Sequence, residues 1–138
     1  MSEGRILVID DSWVVLDAVR TPLAALGFEV RVTSEYAVAE RQIRQTDLCI
    51  IDFHMPGLDG KAMTKSLRAA LGAEGSACAF YLYTSDPDVA RQHAELGFDG
   101  SILKKGDAAA LVSQVSAVFR TIKMKKLARE MRKARGEH

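Results

Sequence analysis

The sequence has only 2 cysteines in 138 residues and no apolar run long enough to cross a membrane. A membrane-spanning helix needs about 20 consecutive apolar residues. The segment before the first apolar run at Ile6 is too short, and too soon acidic, for a secretory signal. Cys49 and Cys78 lie within separate apolar runs and lack a metal-ligand spacing. We therefore expect buried free thiols in a reducing compartment, and a cytoplasmic protein without a transmembrane segment.

The net charge of +1 combines two unlike segments. Residues 1–122 contain 12 bases and 16 acids, a net charge of −4. Residues 123–138 contain seven bases and two acids, a net charge of +5. A chain of this length usually forms one domain and can bury a core without a disulfide or metal. We therefore predict a domain over residues 1–122 and a basic extension over residues 123–138.

Short apolar runs alternate with stretches of helical periodicity along the chain. The apolar runs predict strands at 6–9, 48–51, 79–83 and 100–103, and alternating charged and apolar residues predict a half-buried strand at 29–33. The periodic stretches predict helices at 13–26, 34–45, 61–71, 87–96 and 108–135. Strands that alternate with helices in this way are typical of an α/β fold, with a parallel, doubly wound sheet covered on both faces.

Polar side chains follow four of the predicted strands, at their carboxyl ends. Asp10 and Asp11 follow the first strand and Asp52 follows the third. Thr84 follows the fourth strand and Lys104 the fifth. Ligands of open α/β sheets bind at this edge, so we expect these side chains to meet in one crevice. A single acid there could be a helix cap, but three close carboxylates repel one another unless a cation neutralises them.

Phosphoryl transfer to a carboxylate is the chemistry that suits these five side chains. Asp52 would attack a phosphodonor and form an aspartyl phosphate. Asp10 and Asp11 would hold Mg²⁺, a cation that favours oxygen ligands. Thr84 would hydrogen-bond a phosphoryl oxygen, and Lys104 would pair with it as a point charge. Such a site acts by positioning its reactants and neutralising charge.

These residues resemble the motifs of the receiver domains of bacterial response regulators. The resemblance covers about residues 4–122, and the chain is similar in length to the stand-alone chemotaxis type. The residues that carry it are Asp10, Asp11, Asp52, Pro56, Gly60, Thr84 and Lys104.

The resemblance implies a flavodoxin-like fold with strand order 2-1-3-4-5. It implies a histidine kinase or histidine phosphotransfer protein as the donor, and Mg²⁺ as the cofactor. The backbone carbonyl of His54 would complete the metal shell. A protein of this kind is not an enzyme in the usual sense, because it catalyses only its own phosphorylation and dephosphorylation.

Three positions around the predicted site either depart from the family pattern or stand where the family modulates the site. Ser101 stands three residues before Lys104, where the family usually has a Tyr or Phe that moves inward on phosphorylation. Lys105 replaces the usual Pro or acid, and is either a solvated loop base or a source of positive potential at the crevice mouth. Asp86 stands where residues of the family tune phosphoryl lifetime, but we favour its interpretation as the N-cap of the fourth helix.

The basic extension continues the last helix with a shifted apolar stripe. The stripe consists of Met124, Leu127, Met131 and Ala134. It predicts a contact with another protein, including a homodimer through this helix, while a solvated remnant linker and a membrane-surface segment are weaker alternatives. DNA binding is disfavoured because no aromatic residues interleave with the bases and no DNA-binding module is recognisable.

The leading hypothesis is a single-domain response regulator that switches its contact with a downstream protein target. The alternative is a scaffold of the same fold that acts without phosphorylation. We consider it because Ser101 lacks the aromatic ring of the usual relay. A phosphatase of the haloacid-dehalogenase type is disfavoured, because His54 stands where such enzymes need a second Asp.

Overall fold

The computed structural model describes residues 3–52, 59–72, 78–104 and 106–136, which form strands and helices in strict alternation. The strands are β1 (Arg5–Ile9), β2 (Glu29–Thr33), β3 (Leu48–Asp52), β4 (Ala79–Thr84) and β5 (Gly100–Leu103). The helices are α1 (Trp13–Ala25), α2 (Tyr36–Gln42), α3 (Gly60–Leu71), α4 (Pro87–Arg91) and α5 (Ala108–Ala134).

The strands form one parallel sheet in the order β2-β1-β3-β4-β5, which confirms the predicted α/β architecture. The chain leaves β1 for one edge of the sheet and then crosses back to β3, so the winding direction reverses between these two strands. Parallel α/β sheets open a crevice at such a reversal, outside the carboxyl ends of the strands. Asp10 follows β1 and Asp52 ends β3, so both carboxylates lie at this crevice.

Each face of the sheet has its own apolar layer. On one face, α1 and α5 pack against β1, β3 and β4, and α5 contributes a packing stripe of Leu111, Val115, Val118 and Ile122. On the other face, buried residues of α2 and α3 cover the sheet. Cys49 and Cys78 are free and buried in this second layer, as predicted. Burial raises the pKa of Cys78 to about 12, so its thiol stays protonated and unreactive at neutral pH.

Helix α2 is shorter than the 34–45 segment predicted from the sequence. It begins at Tyr36 because the side chain of Thr33, rather than that of Ser34, organises the approach: its Oγ1 accepts a hydrogen bond from the Glu35 amide at 3.1 Å. It ends at Gln42, before the left-handed backbone of Gln45 at φ 63°. The sequence prediction was therefore wrong at both ends of this helix.

Helix α4 shows the larger departure, since it ends at Arg91 rather than at Leu96. The ring Nδ1 of His93 lies 2.9 Å from the carbonyl oxygen of Ala90. The following residues form hydrogen-bonded turns that end at Gly97, whose φ is 90°. The segment 87–96, whose periodicity predicted one helix, therefore forms a single short helix followed by turns.

Helix α5 extends past the domain core as one continuous helix, as predicted. It has 27 residues, and its buried positions end at Ile122. Beyond that point Met124, Leu127 and Met131 are 72%, 57% and 51% exposed. Within the described part of the chain, α5 and every other helix are too short or too polar to span a bilayer.

Gly100 in β5 has a close neighbour in β4 that leaves no room for a side chain. A Cβ at this position would lie 2.5 Å from Cε2 of Tyr81. We expect Gly100→Ala to lower the free energy of unfolding by about 1–3 kcal/mol because the ring must shift. Urea denaturation measures this loss. The loss should shrink in a Tyr81→Ala background, and an equal loss in both backgrounds would contradict the explanation.

Candidate functional site

Three carboxylates converge at the carboxyl edge of the sheet. One oxygen each of Asp10, Asp11 and Asp52 can be chosen so that all three lie within 4.8 Å of one another. Asp10 and Asp52 are 1% and 5% exposed, whereas Asp11 is open to solvent. The cluster therefore joins two buried acids to one at the surface, through which an ion or a phosphodonor can approach.

The turn after β1 holds Asp10 in place and starts α1. The backbone amide of Ser12 donates a hydrogen bond to Asp10 Oδ1 at 3.0 Å. The hydroxyl of Ser12 accepts one from the Val15 amide at 3.4 Å, which caps the helix. A single residue thus fixes both the acid and the first turn of α1.

Lys104 follows β5 and reaches back over the crevice. Its Nζ lies 3.0 Å from Asp52 Oδ1 and 3.4 Å from Asp10 Oδ2. The same ammonium lies 4.9 Å from the ring centroid of Tyr83. Burial lowers the pKa of Lys104, but the hydrogen bond to Asp52 and the nearby negative charges raise it more, so the net pKa is raised. Lys104 therefore stays charged and neutralises part of the cluster.

The site still carries more negative charge than Lys104 balances. Burial is the largest cause that raises the pKa of Asp10, and the charge of Asp52 raises it further. The Ser12 amide and Lys104 oppose this shift without cancelling it. A cation would reduce the repulsion between these negative charges, and three oxygen donors suit a hard ion such as Mg²⁺. The donor set therefore fits the predicted Mg²⁺.

Thr84 ends β4 and is fully buried beside the backbone of Lys104. Its carbonyl accepts a hydrogen bond from the Lys104 amide at 2.8 Å, which fixes the chain just before the lysine side chain departs. Its hydroxyl accepts one from the Asp86 amide at 3.1 Å. The carboxylate of Asp86 in turn caps α4 through the Asp88 amide at 2.9 Å, which agrees with the favoured interpretation.

Ser101 lies in β5 on the same face of the sheet as Leu82, with which it is in register. It is half-buried. Tyr83, the neighbouring aromatic residue, lies on the opposite face, in the layer formed with α1 and α5. The ring next to the site therefore packs against different helices from those that face Ser101.

Gln114 of α5 is a positioning residue that the sequence did not reveal. Its side-chain amide pairs with both backbone groups of Leu103: Oε1 accepts from the amide at 3.0 Å, and Nε2 donates to the carbonyl at 3.1 Å. These bonds clamp the end of β5, directly before Lys104. The signal available in the sequence was the polar side chain of Gln114 beside Leu111 and Val115 of the packing stripe.

Three residues named from the sequence lie outside the described residues. They are His54, whose backbone carbonyl was expected to join the metal shell, Pro56, and Lys105 at the crevice mouth. Gly60, by contrast, is described as the buried first residue of α3.

Comparison with known proteins supports the same family from both sequence and structure. The sequence pattern described as response regulator receiver domain matches residues 6–116. The chain is 33% identical over 122 residues to the transcriptional regulatory protein PrrA of Mycobacterium leprae, covering 87% of this chain and 52% of that protein. It thus spans about half the length of the curated relatives it matches.

Solved structures show the same fold at low sequence identity. The chemotaxis response regulator CheY4 of Vibrio cholerae has a TM-score of 0.71 at 23% identity, covering 83% of this chain and 98% of that chain. NtrX from Brucella abortus has a TM-score of 0.79 at 22% identity, covering 100% of this chain and 31% of that chain. With the sequence match over most of the domain, these findings show that the chain belongs to the response regulator receiver domain family of two-component signal transduction.

Proposed function

We propose that this protein accepts a phosphoryl group on Asp52 from a histidine kinase or histidine phosphotransfer protein and thereby changes its contacts with a downstream protein. The observation that carries the proposal is the Lys104 ammonium, which lies 3.0 Å from Asp52 Oδ1 within the group of three clustered carboxylates. This arrangement leaves Asp52 a buried nucleophile with a cation already beside it. We further propose that the receiver spans residues 1–122 and acts as a single-domain regulator.

Asp52 supplies the attacking oxygen in this proposal. Its carboxylate forms the new P–O bond while the P–N bond of the phosphohistidine breaks, and the imidazole nitrogen leaves with the electron pair. Mg²⁺, when bound by Asp10, Asp11 and Asp52, supplies positive charge for the phosphoryl oxygens.

Lys104 and Thr84 provide the remaining contacts to the phosphoryl group. The Lys104 ammonium moves from the unphosphorylated Asp52 carboxylate to a phosphoryl oxygen, so its positive charge neutralises the site before and after the transfer. The Thr84 hydroxyl donates a hydrogen bond to a second oxygen, and its link to the Asp86 amide gives the phosphoryl group a route to α4. Three residues are proposed to modulate the site. They influence the lifetime of the phosphoryl group and the coupling between the site and the rest of the domain: Asp86, Ser101 and Lys105.

The exposed stripe of α5 is the proposed contact with a downstream protein. Met124 and Leu127 are the most exposed large apolar residues of the extension, at 72% and 57%. Two ion pairs hold the start of the extension to the domain: Lys123 with Glu3 at 3.3 Å, and Lys126 with Asp47 at 2.9 Å. A homodimer through this helix is one version of the contact.

Beryllofluoride, a mimic of the phosphoryl group, tests the switch. Trp13 begins α1 directly after the acidic turn and is 55% exposed. We expect beryllofluoride with Mg²⁺ to change Trp13 emission in the wild-type protein, because α1 starts at the site. No binding of the mimic by the wild-type protein would overturn the proposal.

Solution mass tests the proposed contact between copies. If α5 mediates self-association, Leu127→Gln should reduce the mass of the wild-type assembly, while Leu26→Gln should leave it unchanged. Leu26 is a matched control because it is 43% exposed and lies outside the extension. A monomer under all conditions would exclude the homodimer and leave a different protein as the partner.

A scaffold that works without phosphorylation is the second candidate, and the half-buried hydroxyl side chain of Ser101 favours it. This residue has no ring that could move between packed and exposed positions. The scaffold predicts partner binding that beryllofluoride does not alter. A large change in partner binding on adding the mimic would exclude it.

A further inference from the structure

A polar cavity lies at the amino ends of the strands, opposite the edge of the sheet that carries the three carboxylates. It has a volume of about 210 Å³ and opens where β4 begins and α5 leaves the core. Its polar lining consists of Arg68, Tyr81, Asp99, Thr121, Lys125 and Arg129. The carboxyl edge, where the phosphoryl chemistry is proposed, shares none of these residues, so the cavity needs a separate explanation.

Arg68 is already fixed and neutralised within this cavity. Its Nη2 donates to Asp99 Oδ2 at 3.0 Å and to the Gly97 carbonyl at 3.3 Å. Its guanidinium carbon lies 4.5 Å from the ring centroid of Phe80. The same Asp99 oxygen also accepts from the Phe80 amide at 2.8 Å, so this oxygen has little capacity for another cation.

Lys125 and Arg129 bring two further positive charges that no acid among the described residues balances. Neither side chain forms a hydrogen bond or ion pair with any residue that the structure describes, although Arg129 is half-buried. Their neighbours Lys123 and Lys126 do have acidic partners on the domain. A spacing of four residues places Lys125 and Arg129 on one face of α5, the face that lines the cavity.

We propose that this cavity binds a small phosphate-bearing anion between α3 and the extension of α5. Guanidinium groups match phosphate oxygens in a bidentate way, and an ammonium adds a point charge. A cavity of about 210 Å³ is smaller than the roughly 300–1,000 Å³ of sites for drug-sized ligands. It therefore suits phosphate, pyrophosphate or a small phosphomonoester. Such a ligand would tie the extension to the domain through Arg129 and Arg68.

Titration of the full chain with inorganic pyrophosphate tests this proposal. Calorimetry at constant ionic strength, without Mg²⁺, should show saturable binding with one site per chain. Arg129→Gln should weaken the affinity by about tenfold or more, since it removes a bidentate contact. Arg132→Gln removes the same charge from an exposed position of α5 outside the cavity lining and should change the affinity less than about twofold.

The controls separate this site from general charge attraction and from the carboxylate site. Equal losses in Arg129→Gln and Arg132→Gln, or binding that never saturates, would overturn the proposal. A loss of pyrophosphate binding in Asp52→Asn would also overturn it, because that residue lies at the other edge of the sheet. Parallel titrations with phosphate and phenyl phosphate then distinguish a free anion from a phosphomonoester, and tighter binding of either supports the shared chemistry.

Discussion

Asp52→Asn is expected to reduce phosphoryl incorporation to the background of the assay. The amide that replaces the carboxylate is a poor nucleophile, so no acyl phosphate can form. The fold should persist, because the side chain keeps its shape and its oxygen can still accept a hydrogen bond from Lys104. Incubation with a small acyl phosphate and Mg²⁺, followed by intact-mass measurement, would show one added phosphoryl group on the wild-type protein and none on the variant.

Asp59→Asn provides the matched control for this experiment. Asp59 is exposed and caps α3 through the Lys61 amide at 2.9 Å. Asparagine caps a helix about as well as aspartate, so this variant should be phosphorylated like the wild type. Incorporation into Asp52→Asn at the wild-type level would mean that another residue is the acceptor, and the proposed role of the cluster would fail.

Strands β1 and β3 were predictable from the sequence because their interior residues are apolar and buried on both faces. All of β3 except Asp52 is an uninterrupted apolar run, and every residue of this strand is buried. The strand order is different, because no local pattern states which strands become neighbours. That order came from the resemblance to a family, and the sheet confirms it.

Helix ends were less predictable because they depend on side chains that compete for backbone groups. The periodicity of residues 87–96 cannot show that His93 lies 2.9 Å from the carbonyl of Ala90. Similarly, the hydroxyl of Thr33 organises the approach to α2, which was expected to begin at Ser34. Both errors concern interactions between residues that are near in sequence but whose geometry only the folded chain defines.

The candidate site divides in the same way. Asp10, Asp52 and Lys104 were recognisable because each follows or ends a strand at one edge of a parallel sheet. The clamp of Gln114 on Leu103 joins α5 to β5, and Arg129 shares a cavity with Arg68, 61 positions earlier in the chain. Such pairs carry no short-range pattern, so they became visible only in the packed structure.

Lys104→Met should destabilise the protein by about 3 kcal/mol at neutral pH, because two buried carboxylates lose their cation. Methionine keeps an apolar side chain against Tyr83, so lost packing contributes little. Without the ammonium, the pKa of Asp10, which burial already raises, rises further in the folded state but not in the unfolded state. The penalty is therefore largest above the raised pKa of the folded state and shrinks as acid protonates Asp10, so the difference in urea stability between variant and wild type should narrow from pH 7 to about pH 4.

Mg²⁺ should recover much of this loss, because it places positive charge against the same oxygens. A ligand that binds only the folded protein stabilises it, and the stabilisation grows with the logarithm of the ligand concentration relative to its Kd. The melting temperature of Lys104→Met should therefore rise more with Mg²⁺ than that of the wild type, in which Lys104 competes for Asp52. Lys65→Met, an exposed change in α3, should respond to Mg²⁺ as the wild type does. An equal response of all three proteins to Mg²⁺ would show that Lys104 and the ion do not share these carboxylates.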